Sequence, residues 1–129
     1  MQYLLDTNQI VFAIRGEGRV RRHVDAVGTP GIVISAVSIA ELEYGSLRSA
    51  DPALHRARWR RFVNVFDEVP FDSAAAIAHA TLRDVLRQSP IGERDLMIAA
   101  IARARDLTVV THNLAEFRRV PGLRIEDWL

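Results

Sequence analysis

Two short apolar runs, Ile32-Val33-Ile34 and Val109-Val110 behind Thr108, limit this chain more than anything else in it. A strand with one face in water alternates apolar and polar residues. A strand that is apolar throughout is buried on both faces, as in a parallel sheet covered by helices on each side. Gln2 to Leu5 is a further short strand, Glu68-Val69-Pro70 another, and Arg124-Ile125 a candidate for the last. The segments between them are helical in pattern. One helix starts at Thr7 or Asn8 and ends near Gly16; a second spans Val20 to Val27, before Gly28-Thr29-Pro30-Gly31 breaks the chain. Ser38 reads as an N-cap with Glu41 at capping-box spacing, opening a helix to about Ser49. Asp51-Pro52 starts the next, in which Trp59, Phe62, Val63 and Phe66 form an apolar stripe. Asp72 or Ser73 caps a helix to about Leu86, and Glu93 to Arg105 is another. This alternation predicts an α/β fold: a three-layer sandwich with a central, mainly parallel sheet, in one domain over residues 1–129.

A chain of 129 residues buries roughly two-thirds of its unfolded surface, enough for a core without covalent staples. There is no cysteine, which excludes a disulfide framework and a thiolate zinc site. No apolar run approaches the ~20 residues of a membrane helix, and the N-terminus lacks the pattern of a secretion signal. A cytoplasmic setting is therefore expected. The net charge is +1, too small for the whole molecule to act as an electrostatic trap for nucleic acid. All 17 basic residues are arginine. Compositional bias accounts for that, although arginine is also the better residue for bidentate phosphate contacts. Arg56, Arg58, Arg60 and Arg61 read as a solvated helix face, with a phosphate-tracking surface as the lesser alternative.

Four acids stand where strands end or helices begin, each beside apolar residues: Asp6, Glu41, Asp95 and Glu116. Each has an ordinary structural reading. Asp6 suits a helix N-cap, Glu41 a capping box, and Asp95 the positive end of a helix dipole. Glu116 fits a surface turn. Together they suggest more, because carboxylates beside a core are costly unless their charge is offset. In open parallel sheets, sites form outside the carboxyl ends of the strands, where these acids would meet. Divalent cations of the Mg²⁺ kind take oxygen ligands, so metal-dependent phosphodiester chemistry is the leading reading. His112 shows no metal-ligand spacing with the other three histidines. Asn8 stands where an Asp-x-Asp phosphatase would carry its second aspartate, which disfavours that chemistry.

The ordered set of motifs resembles the PIN-domain family, in particular its VapC-type toxin ribonucleases. The matching segments are Tyr3-Leu4-Leu5-Asp6-Thr7-Asn8, Ser38 through Gly45, Ile91 through Ala100, and Val110 through Leu123. The resemblance covers essentially the whole chain. It implies an endoribonuclease dependent on Mg²⁺, with Mn²⁺ as the alternative, in which Asp6 and Asp95 bind the metal and Glu41 is the third acid. Many members carry aspartate where this chain has Asn113; Glu116, three residues on, is the candidate for the fourth acid. The resemblance also implies an RNA substrate, a homodimer and a cognate antitoxin protein that blocks the site. A cation there would acidify a water and stabilise charge on the phosphate. The competing reading is a catalytically silent PIN-like module for RNA binding or protein interaction, its acids serving only as caps.

Overall fold

The apolar runs become the middle of a single sheet in the computed structural model, which describes residues 1–129. Its strands are β1 (Tyr3–Leu5), β2 (Ile32–Ser35), β3 (Asp67–Val69), β4 (Thr108–Val110) and β5 (Ile125–Glu126). They lie in the order β3-β2-β1-β4-β5, and every pairing is parallel. The helices are α1 (Thr7–Arg15), α2 (Val20–Val27), α3 (Ala36–Leu47), α4 (Pro52–Val63), α5 (Ser73–Val85), α6 (Glu93–Arg105) and the single turn α7 (Leu114–Phe117). Thr29–Gly31 adds a 3-10 turn.

Alternate residues of each central strand enter opposite cores. Leu4, Val33 and Val109 pack with Leu82, Leu96, Ile98, Ile101 and Phe117, under α5, α6 and α7. Leu5, Ile32, Ile34 and Val110 pack with Ile10, Val24, Trp59 and Val63, under α1, α2 and α4. The result is the expected three-layer sandwich, with the sheet wholly rather than mainly parallel. No helix is long and apolar enough to cross a membrane. The C-terminal segment is pinned by Trp128, which is buried and stacks on His23 (centroids 5.3 Å apart) and against Tyr3 (5.0 Å).

One helix starts earlier than its sequence suggests. Ser35, not Ser38, is the N-cap of α3, its Oγ accepting from the Ser38 N–H at 3.1 Å. The strand β2 runs into the helix with no loop, so the last strand residue is also the cap. All four residues of β2 are buried, Ser35 included, and the cap falls there rather than at Ser38. Glu41 is thus in the body of the helix and not a capping-box partner. The helix also stops at Leu47, short of Ser49. β3 begins at Asp67 and leaves out Pro70, which has no N–H for a ladder. β5 sits one residue later than Arg124-Ile125.

Ser35→Ala should destabilise the fold by about 1 kcal/mol, the usual cost of a lost serine cap. Urea unfolding of the two proteins measures it, and an unchanged midpoint would place the cap elsewhere.

Candidate active site

Because every strand runs in the same direction, all the carboxyl ends lie at one edge of the sheet, and the acids collect there. Asp6 follows β1, the central strand, and is at once the N-cap of α1 and 7% exposed. Asp95 comes from the first turn of α6, Glu41 from α3 and Glu116 from α7. All four line one open cavity of about 900 Å³ whose lining contains no hydrophobic residue. The structure therefore brings together every acid singled out from the sequence.

Each acid is held by named donors. Asp6 Oδ1 accepts from the Thr7 N–H (2.8 Å) and Oδ2 from the Thr111 hydroxyl (2.9 Å). The Asp6 N–H itself donates to Val110 O (2.8 Å), tying β1 to β4 at the site. Glu41 Oε1 accepts from Thr7 Oγ1 (2.9 Å), and Arg94 Nη1 lies 3.2 Å from Oε2. Because the Thr7 hydrogen goes to Glu41, the Ser38 hydroxyl 2.9 Å away donates to Thr7. Asn113 Nδ2 donates to Asp95 Oδ2 (2.9 Å), and the Gly92 N–H reaches Glu116 Oε2 (3.4 Å). Asn113 is therefore a donor to the cluster, filling by its amide the place of a fifth charge.

Negative charge is in excess. Burial is the main cause that raises the Asp6 carboxyl above its ordinary range; the bonds from Thr111 and Thr7 oppose it, and Glu41 adds to it. Asp95 is pushed up to about 7, chiefly by burial, then by its hydrogen bond to Glu116 and the charges of Asp6 and Glu116. Glu116 is lowered, first by that same bond to Asp95. Asp95 and Glu116 thus oppose each other's ionisation, and a cation between them would relieve that. Arg94 is the one cation lining the cavity, against five carboxylates once Glu93 on its rim is included.

Several residues gained no role from sequence reasoning. Thr7 and Thr111 clamp carboxylates; both flank strand ends, where a hydroxyl beside an acid is the available clue. Arg94 sits directly before Asp95. Asp127 pairs with His112 (Oδ2 to Nδ1, 2.7 Å) and follows β5 as Asp6 follows β1, a repeat of position that the sequence does display. The arginines of α4 lie outside the cavity lining. Arg56 makes a two-point bond with Glu43 on α3 (Nε to Oε2, 2.8 Å), a half-buried ion pair away from the cavity.

The shifts carry a sign. A carboxyl raised in the fold holds its proton more tightly than in the unfolded chain, so its contribution is full below the unfolded value and is lost as pH rises through the folded value. With Asp95 at about 7 and Asp6 shifted the same way, metal-free protein should lose stability from about pH 4 to about pH 7. The lowered Glu116 acts oppositely, at the acid end of that window. Asp95→Asn should flatten the slope. Thermal melts in chelator across this range measure it, and an equal slope in both proteins would remove Asp95 as its source.

The comparisons with known proteins agree with this architecture. The PIN domain profile matches residues 3–123. The chain is 37% identical to the tRNA(fMet)-specific endonuclease VapC of Salmonella typhimurium, over 99% of this chain and 98% of that one. It is 33% identical to ribonuclease VapC2 of Rickettsia felis, again over 99% and 98%. Among solved structures, DNA-bound VapBC from Salmonella typhimurium superposes with a TM-score of 0.93 at 36% identity, covering 100% of this chain and 99% of that one. With a matching profile over nearly its whole length and full-length relatives above 30% identity, the chain belongs to the PIN-domain family.

Proposed function

We propose that this chain is a metal-dependent endoribonuclease, the toxin of a toxin–antitoxin pair, and that its substrate is a structured RNA of the initiator-tRNA kind. One observation carries the chemistry: four carboxylates surround one polar cavity, where burial and the neighbouring acids push Asp95 up to about 7. The substrate class is supported by relatives that act on tRNA(fMet), at 37% and 38% identity.

The donor set fits a cation of the Mg²⁺ or Mn²⁺ kind. All candidate ligands are oxygens, and the raised Asp95 carboxyl marks where positive charge is wanted. No group of three histidine, aspartate or glutamate side chains is arranged to hold an ion by itself. That suits an ion which keeps several waters and needs one or two carboxylates. Asp6 and Asp95 would be those ligands. Bound there, the ion would supply an acidified water and stabilise charge developing on the scissile phosphate. Glu41 and Glu116 would orient waters around it. Arg94, already beside Glu41, is placed to meet a phosphate oxygen.

Asp6→Asn keeps the cap and the size but removes the charge. It should abolish cleavage of tRNA(fMet) and also the rise in melting temperature that Mg²⁺ gives the wild type, since an ion bound only to the native state stabilises it. Glu116→Gln should lower the rate clearly but less than Asp6→Asn or Asp95→Asn. Full activity of folded Asp6→Asn would overturn the metal-site model, whereas a folded wild type that cuts no RNA and binds no Mg²⁺ would favour the silent-module reading. An unchanged rate in Glu116→Gln across metal concentrations would reduce the site to three acids.

The solved relatives crystallised as VapBC, toxin with antitoxin. A cognate antitoxin that covers the cavity is accordingly the partner we propose, with the toxin itself a homodimer. Exposed Tyr44 and Leu47 on α3 and Leu54 on α4 supply apolar surface for such contacts. Light scattering of the isolated chain should read twice the chain mass, and a monomer at every concentration would refute the dimer.

A further inference from the structure

His112 lines the same cavity as the four acids, yet none of the chemistry above uses it. Its ring is clamped. Nδ1 lies 2.7 Å from Asp127 Oδ2, and Phe12 meets the ring edge-on with centroids 6.2 Å apart. Asp127 is itself fixed from behind. Its Oδ1 accepts from Gln9 Nε2 (3.0 Å) and from the Leu129 N–H (2.9 Å). Gln9 is fully buried, and its Oε1 has no partner, so the amide is held in place for the bond to Asp127 at the cost of an unsatisfied oxygen. Those donors and His112 keep Asp127 ionised, below the ordinary carboxylate range despite partial burial. An ionised carboxylate only accepts, so Nδ1 carries its hydrogen and Nε2 is the nitrogen left for a ligand. Nε2 makes no hydrogen bond within the protein, and the side chain is 58% exposed. An acid orienting a histidine that lines a reaction cavity and has its far nitrogen unpartnered is the geometry of a proton-transfer pair.

We propose that His112 is a further catalytic residue of RNA cleavage, its Nε2 giving a proton to the oxygen that leaves phosphorus, and that Asp127 is the residue that positions it. This rests on the ribonuclease reading. In the step, the bond from the water oxygen to phosphorus forms as the bond to the leaving oxygen breaks. The proton on Nε2 passes to the leaving oxygen, and the water's proton passes to solvent. The ring regains a proton from solvent before the next turnover, and nothing is oxidised or reduced. The charged groups around the ring are mostly acidic. Asp127 meets it from the segment after β5, Phe12 from α1 is neutral, and across the cavity stand Asp6, Glu41, Asp95 and Glu116 against the single cation Arg94.

The test uses a tRNA(fMet) transcript in two forms, one native and one with the bridging leaving oxygen at the mapped cut replaced by sulfur. A thiolate leaves without being protonated. His112→Gln should lower kcat on the native RNA about 100-fold, in the usual range for a lost general acid, with KM within a few-fold. Its deficit should shrink to a few-fold on the sulfur-bridged RNA, and the alkaline fall of the wild-type kcat profile should be absent. Asp127→Asn should show the same pattern more weakly. Because Asp127 also anchors the C-terminus, His112→Gln, altering an exposed side chain, is the decisive variant, with its melting temperature as the folding control. A His112→Gln protein that cuts native RNA at the wild-type rate, or is equally slow on both linkages, overturns the proposal while leaving the ribonuclease reading intact. If wild-type protein with Mg²⁺ cuts no RNA, that reading fails and this one falls with it.

Discussion

The structure depends on the pairing of β1 with β4. Leu5 aligns with Val110, the Asp6 N–H continues the ladder to Val110 O, and the Thr111 hydroxyl closes on the Asp6 carboxylate. Two chain segments over a hundred residues apart are thereby set side by side at the middle of the sheet. Because all five strands are parallel, every strand-to-helix turn that bears an acid opens on the same edge. The apolar faces that bury the sheet thus also concentrate charge at its rim. The same packing that stabilises the domain makes the cavity electrostatically unfavourable when it is empty of cations.

That tension is distributed, not cancelled. Asp6, the most buried acid, receives two hydrogen bonds; Glu41 receives Thr7 and Arg94; Asp95 receives the Asn113 amide and Glu116 the Gly92 N–H. A fold selected for stability alone would replace such groups with apolar ones, since buried charge is weak evidence of stabilisation. Retaining them with their donors already in place is what a pre-organised site requires, because groups fixed beforehand need no rearrangement when charge develops on a substrate.

Much of this was legible in the sequence. The strands announced themselves by continuous apolarity, and the acids by their position after strands or at helix starts. What stayed hidden was of two kinds. Boundaries depended on packing, as for α3, where Ser38 reads as the cap but Ser35, the last residue of the buried β2, takes that place. Partners distant in the chain were invisible, because nothing in local pattern says that Gln9 reaches Asp127 or that Thr7 bridges Ser38 and Glu41. The Glu43–Arg56 pair is of the same kind, its two members lying on successive helices.

The edge strand β5 illustrates how little secondary structure a site needs when tertiary contacts are strong. It is two residues long, and by itself could not hold a register. Its position is set instead by the three residues that come after it in the chain. Trp128 is buried against Tyr3 and His23, and Asp127 is bound by Gln9, by Leu129 N–H and by His112. Gly18 approaches Leu129 so closely that a Cβ there would lie 2.7 Å from its side chain, and its φ of +58° is one that glycine adopts without strain. The final residues are therefore built into the α1–α2 face and the cavity rim together. The order of the cavity around His112 is for this reason inseparable from the packing of the chain's last three side chains.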